Sequence, residues 1–269
     1  MKKKTVFAIT VGVLAAAVYL RHVFFKGELP SEPPPAICHA DTLSAKPQPQ
    51  PLPYGLVRIR DMDTSILVDL KYATTDNFTG KILYPCAEAY LQRETAEKLY
   101  AAGQYLQSLH PDLRLLVYDA ARPLSIQQKM WDAVKNTPYR KYVADPERTS
   151  LHNYGAAVDL TLSGRNGKPL DMGTAFDHFG EAASTVREDE LLRRGRLTEQ
   201  QVSNRKLLRE VMQKAGFQSI SGEWWHFNSC TLAEARRRYP LLSGRDPLLV
   251  NNTASLPDTL PAMENSRQQ

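Results

Sequence analysis

The sequence predicts an α+β fold. Strand-like apolar runs and helix-spaced apolar residues interleave along its middle without strict βαβ alternation. That middle stretch is bounded by a proline-rich segment before it and a polar tail after it, and no internal repeat interrupts it. Taken in order, Ser65 to Leu70 is strand-like, and Glu94 to Leu109 carries apolar residues at helical spacing. Leu113 to Tyr118 reads as a buried strand, Ser125 to Val134 as a helix, and Ala157 to Leu162 as a third strand. Thr198 opens a long helix: Gln201 completes a capping box with it, and Gly216 marks the end.

The flanks carry different information. Lys2, Lys3 and Lys4 precede an uncharged, mostly apolar run from Thr5 to Leu20, the pattern of an export signal. The run is shorter than the roughly 20 residues a spanning helix needs, but Val23, Phe24 and Phe25 can extend it. Residues 1–28 are therefore expected to be a signal peptide or a membrane anchor. Residues 29–55 hold Pro30, Pro33, Pro34, Pro35, Pro47, Pro49, Pro51 and Pro53, which makes an extended spacer that cannot build a core. Residues 56–243 are the expected domain, and 244–269 a disordered tail. The protein is expected to be exported, either periplasmic or anchored to the outer face of the inner membrane, with the N-terminal segment as the membrane contact if it is uncleaved.

With 269 residues and 42% apolar content the chain can bury a sizeable core. Its net charge of +5 owes much to the three leading lysines. No nucleic-acid partner is expected, because no basic stripe with interleaved aromatics is present. Arg193, Arg194 and Arg196 lie among Glu188, Asp189, Glu190 and Glu199, as on a solvated helix. Three cysteines are too few for a disulfide framework. In an oxidising compartment Cys86 and Cys230 can pair, leaving Cys38 in the spacer; buried free thiols are the alternative.

Chemistry concentrates in two segments, Ser150-Leu151-His152-Asn153-Tyr154-Gly155-Ala156-Ala157-Val158-Asp159 and Gly222-Glu223-Trp224-Trp225-His226-Phe227. Two histidines and a carboxylate form a common catalytic zinc set with the fourth position left open. On the third strand Ala157, Asp159 and Thr161 share one face, while Val158, Leu160 and Leu162 point to a core on the other. Glu223 is a candidate general base, but positions three apart diverge on a regular strand, so Glu223 and His226 converge only if the chain turns between them. Spacing alone leaves His152 and His226 open to ordinary structural roles, as it does Trp224 and Trp225; His110 reads as a surface or hydrogen-bonded residue.

Ser150-x-His152-x-x-Gly155-x-Ala157-x-Asp159 followed by Glu223-x-Trp225-His226 resembles the zinc D,D-peptidase superfamily, which shares a fold with Hedgehog signalling domains. Further motifs resemble its D-alanyl-D-alanine dipeptidase branch, the VanX type. They are Asp69-Leu70-Lys71-Tyr72-Ala73-Thr74, Asp76-Asn77-Phe78-Thr79-Gly80, Asp119-Ala120-Ala121-Arg122-Pro123 and Met172-Gly173-Thr174-Ala175-Phe176-Asp177. The motifs keep their order from about Ile59 to Phe227; the leader, the spacer and the stretch from His178 to Arg187 differ from the relatives.

The resemblance implies a single zinc-peptidase domain with a central, mostly antiparallel sheet flanked by helices. It implies one zinc ion per chain, held by His152, Asp159 and His226, with Glu223 as catalytic base and Arg122 steadying the oxyanion. It further implies that Tyr72, Ser150 and Asp177 line a dipeptide pocket, Asp177 facing the free ammonium. The expected activity is hydrolysis of D-alanyl-D-alanine or a related D,D-dipeptide by metal-activated water, with a role in turnover of cell-wall fragments. The rivals are a D,D- or L,D-carboxypeptidase acting on the peptidoglycan stem, and a non-catalytic zinc module binding cell-wall fragments or a protein partner.

Overall fold

The structure, a computed structural model, describes residues 53–244. The expected signal or anchor, most of the spacer and nearly all of the tail lie outside the described residues. Seven strands and six helices are described: β1 (Leu56–Arg58), α1 (Ile59–Met62), β2 (Leu67–Val68), β3 (Tyr90–Gln92), α2 (Arg93–Leu109), β4 (Leu113–Asp119), α3 (Leu124–Val134), β5 (Ala157–Gly164), α4 (Glu188–Arg193), α5 (Glu199–Lys214), β6 (Gln218–Ser219), β7 (His226–Asn228) and α6 (Leu232–Arg238). β1 and β3 form a two-stranded antiparallel ribbon. The other five strands make one sheet in the order β2-β4-β5-β7-β6, antiparallel except for β2 beside β4. The mostly antiparallel α+β arrangement expected from the sequence is what forms.

Helices α2 and α5 pack on each other and against the sheet, α2 on β4 and α5 on β5. Their apolar residues recur at helical spacing, with Ala96, Leu99, Ala102 and Leu106 on α2 and Val202, Leu208, Val211 and Met212 on α5. All but Val202, which packs with Leu191 and Leu197, share a core with Leu115 and Val117 of β4 and Val158, Leu160 and Leu162 of β5. Each buried leucine contributes about 1.5–3 kcal/mol. A one-residue slip of β5 would exchange those side chains for Asp159 and Thr161, so burial fixes the register. The capping box on α5 forms as expected: Thr198 Oγ1 accepts from the Gln201 amide at 3.2 Å and Gln201 Oε1 from the Thr198 amide at 2.8 Å.

The structure corrects one strand and resolves two points the sequence left open. The strand predicted over Ser65 to Leu70 shrinks to Leu67–Val68, because Asp63 draws the Ser65 amide into an Asx turn at 2.8 Å and a 3-10 turn begins at Lys71. As expected, Val158, Leu160 and Leu162 point into the core while Asp159 projects from the opposite face, and that face is buried as well: every residue from Ala157 to Ser163 is buried. Cys86 and Cys230 do not pair. Cys86 is disulfide-bonded, while Cys230 is a free thiol that packs with the separate apolar cluster of Leu151, Tyr154 and Ala235. Cys38, the remaining cysteine, lies outside the described residues.

Gly155 ends the 3-10 turn that carries His152. It sits in the left-handed region at φ 65°, and its amide donates to the His152 carbonyl at 3.0 Å. A Cβ there would lie 2.8 Å from Leu56 Cδ2 and 3.2 Å from the Gln92 amide nitrogen. Strain and overpacking therefore act together. Gly155→Ala is expected to destabilise the domain by about 2 kcal/mol or more, read as a lowered midpoint of urea unfolding at unchanged slope.

Candidate metal centre and cavity

Strand register builds the site. Asp159, in the middle strand, stands opposite His226 of β7 on one side and Asp119 of β4 on the other. The second pairing depends on a bulge. Val117 pairs with Leu160, Tyr118 is skipped, and Asp119 then opposes Asp159. An extra residue in one strand re-aims the side chains beyond it, and here it aligns Asp119, Asp159 and His226 in a row across three strands. His152 enters from the 3-10 turn Leu151–Tyr154, just ahead of β5. Between Glu223 and His226 the chain makes a turn at Trp224 and Trp225, which allows both to line one cavity.

The three candidate ligands converge. His152 Nε2 and His226 Nδ1 are 3.1 Å apart, and Asp159 Oδ1 lies 3.4 Å from the first and 2.9 Å from the second. Outer hydrogen bonds orient both rings. His152 Nδ1–H donates to the Ala120 carbonyl at 2.7 Å, and His226 Nε2–H donates to Asn228 Oδ1 at 2.8 Å. The remaining ring nitrogens, His152 Nε2 and His226 Nδ1, therefore face each other and the Asp159 carboxylate. Such a donor set calls for a cation at its centre, and two imidazoles with one carboxylate fit a divalent metal with an open position.

Charge in the cluster follows the same logic. Burial pushes the Asp159 carboxyl up, but the two histidines beside it outweigh burial and hold it well below the usual carboxylate range. Burial disfavours a charged His226, yet the adjoining Asp159 lifts that ring to about 9. In the metal-free protein a proton thus occupies the place of the cation.

A cavity of about 290 Å3 opens over the triad, and every other site residue expected from the sequence lines it: Tyr72, Arg122, Ser150, Asp177 and Glu223. Arg122 is buried and locked: its Nε and Nη2 donate to Asp119 Oδ2 at 2.8 and 2.5 Å, and Nη1 donates to Gln127 Oε1 at 2.9 Å. Its Nη2 lies 3.5 Å from Asp159 Oδ2. At one end of the cavity the Tyr72 hydroxyl lies 3.0 Å from both oxygens of Asp177, whose backbone is left-handed at φ 60°. Burial raises the Asp177 carboxyl to about 8, against the pull of Tyr72. Burial likewise raises Glu223 to about 7, against the pull of His226. Ser150 Oγ is buried at the cavity wall, and the Ser150 amide donates to Asn153 Oδ1 at 2.7 Å. The aromatic rings of Phe78, Tyr142 and Phe179 wall the same end, with Tyr142 stacked on Phe179.

The structure also adds supporting residues that the sequence reading did not single out. Asp119 anchors Arg122 and accepts from the Tyr84 hydroxyl at 2.6 Å. Asn153 Nδ2 donates to the Arg122 carbonyl at 2.9 Å, tying the histidine turn to the arginine. Asp119 and Asn153 fall inside the motifs quoted above, so the signal was present; Gln127, Tyr84 and Asn228 are single polar residues with no pattern around them.

Loading a metal onto the free protein must expel the His226 proton, since that group titrates near 9. About one proton should be released per metal at neutral pH, and apparent affinity should fall by about tenfold per pH unit below 9. Isothermal titration of the metal-free protein in buffers of different ionisation enthalpy reads this directly; a binding heat that does not depend on the buffer would contradict the assignment.

Comparison with known proteins agrees with this geometry. The family model described as D-ala-D-ala dipeptidase matches residues 53–241, which includes every residue of the site. A D-alanyl-D-alanine dipeptidase of Escherichia coli is 36% identical over 176 residues, covering 65% of this chain and 83% of its own. That of Enterococcus faecalis is 30% identical over 192 residues, covering 64% and 90%. A third, from Streptomyces coelicolor, is 31% identical over 192 residues, covering 63% and 88%. With its matched span, its fold and a triad able to hold a metal, the chain belongs to the D-ala-D-ala dipeptidase family of metallopeptidases.

Proposed function

We propose that the chain is a zinc-dependent dipeptidase that hydrolyses D-alanyl-D-alanine or a closely related D,D-dipeptide. The observation that carries this reading is the layout of the cavity: a candidate metal triad lies among two buried carboxyls of raised pKa, Glu223 and Asp177, and a fixed guanidinium, Arg122. His152, Asp159 and His226 would hold one zinc ion, whose chemistry when bound is to polarise a carbonyl oxygen and acidify a water.

The chain's own groups divide the remaining work. Asp177 receives the substrate's ammonium, whose positive charge offsets the burial that keeps the carboxyl protonated when the cavity is empty. Tyr72 holds that carboxylate in place through its hydroxyl, and the same pair closes the amine end, so that dipeptides fit and longer chains do not. Ser150 Oγ, at the cavity wall, can bond the dipeptide. Arg122 cannot lose its proton or swing away, and it presents positive charge where the scissile carbonyl becomes an oxyanion. Glu223, titrating near 7, can take a proton from the attacking water and pass it to the departing amine.

The leader of Lys2 to Lys4 with its apolar run supports an exported enzyme, periplasmic or held at the outer face of the inner membrane. There it would consume dipeptides released from cell-wall peptidoglycan. Among the described residues no helix is long and apolar enough to cross a membrane. For an exported enzyme, added protease is expected to reach the domain in spheroplasts but not in intact cells.

The decisive assay offers D-Ala-D-Ala, L-Ala-L-Ala and a stem pentapeptide in parallel, with and without a zinc chelator. Chelator-sensitive cleavage of D-Ala-D-Ala with the pentapeptide untouched is expected. Release of D-Ala from the pentapeptide would make it a wall carboxypeptidase, and turnover of none of the three would leave a binding module. Glu223→Gln is expected to lower kcat by at least about 100-fold while zinc content, measured by mass spectrometry, stays at one per chain.

A further inference from the structure

Arg205 interrupts the apolar stripe of α5. Val202, Leu208, Val211 and Met212 face the core beside it, and Arg205 itself is 1% exposed. A buried cation on a core-facing stripe is costly, and breaks of pattern of this kind gather at functional sites. It forms no ion pair among the described residues: of the acidic groups that act on it, Glu188 is bonded by Arg209 at 2.7 and 3.1 Å and Asp171 accepts from Gln201 at 2.8 Å. Backbone carbonyls hold it instead. Nε donates to the Met172 carbonyl at 2.6 Å and Nη2 to the Ala182 carbonyl at 2.9 Å.

Those two carbonyls are the ends of the loop that carries Asp177. The loop is tied to the Glu223 turn as well. Trp224 Nε1–H donates to Thr174 Oγ1 at 2.8 Å, and the Ser184 and Thr185 hydroxyls donate to the Ser221 and Ile220 carbonyls at 3.0 and 2.9 Å. The Arg205 guanidinium lies over the Trp224 ring, 5.9 Å from its centre. One planar fork thus grips both ends of the Asp177 loop and the residue next to Glu223.

We propose that Arg205 is a positioning residue for the amine end of the cavity: it sets loop 172–182 so that Asp177 meets the substrate's ammonium at a fixed place relative to Glu223. The inference rests on the reading of Asp177 given above. Filling the core would be served as well by methionine. Bridging two carbonyls needs the guanidinium, because the compact ammonium of lysine cannot reproduce its planar fork.

The test is a double-mutant cycle on the full, zinc-loaded protein, with kcat and KM measured for D-Ala-D-Ala. Arg205→Met is expected to raise KM by about tenfold and to leave kcat within about threefold. Arg205→Lys should fall between it and the parent. Asp177→Ala should raise KM at least as much, and adding Arg205→Met to it should change KM no further. Independent, multiplying effects would overturn the positioning role, as would a fall in kcat with KM unchanged. A KM unaffected by Asp177→Ala would instead sink the reading of the amine pocket. If Arg205→Met does not fold, Thr174→Val removes the Trp224 tether and carries the same cycle. It should raise KM severalfold in the parent and not at all beside Asp177→Ala; an unchanged KM in the parent overturns the proposal.

Discussion

Two imidazole lone pairs and a carboxylate oxygen, held within 3.4 Å of one another, cannot share that space without a cation between them. Much of the domain serves to keep them there. The central strand supplies Asp159 at a position that burial of Val158, Leu160 and Leu162 makes immovable. Strand β7 brings His226 opposite it, and the bulge in β4 brings Asp119 to the other side. The Ala120 carbonyl and Asn228 each take an imidazole N–H and so prevent either ring from satisfying the cluster by itself. The tension is electrostatic, and it is released only by a proton or a metal.

Around this centre the acidic groups are kept in different states by their surroundings. Asp159 stays charged because the histidines beside it outweigh its burial; Glu223 and Asp177 are pushed towards neutrality by burial, which their partners only partly offset. A site where neighbouring carboxyls titrate several units apart can bind a cation with one, accept an ammonium with another and move a proton with a third. Arg122 belongs to the same balance. Asp119 neutralises and aims it, so its charge does not repel the metal set beside it.

Much of this was legible in the sequence, though unevenly. The long helices were plain because caps and spacing agree: Thr198, Gln201 and Gly216 frame α5, and Ala96, Leu99 and Leu106 stripe α2. Strand β2 was overread because an Asx turn at Asp63 consumes its first residues, and side-chain-to-backbone bonds leave no trace in apolar alternation. His152, Asp159 and His226 were identifiable as ligand types, but their convergence depends on the pairing of β5 with β7 and on the 3-10 turn Leu151–Tyr154, and periodicity encodes neither. Arg122 and Asp177 could be named only through motif resemblance. Nothing in the polar run Ser203 to Lys206 marks Arg205 as buried.

The place of β7 in the chain has a consequence for assembly. The two histidines are separated by 74 positions, and the second sits near the end of the folded domain. While a growing chain lacks that last strand, His152 and Asp159 offer only two ligands, too few for a tight site. The ligand set is completed only when β7 pairs with β5. Until that pairing forms, the chain has little hold on a metal.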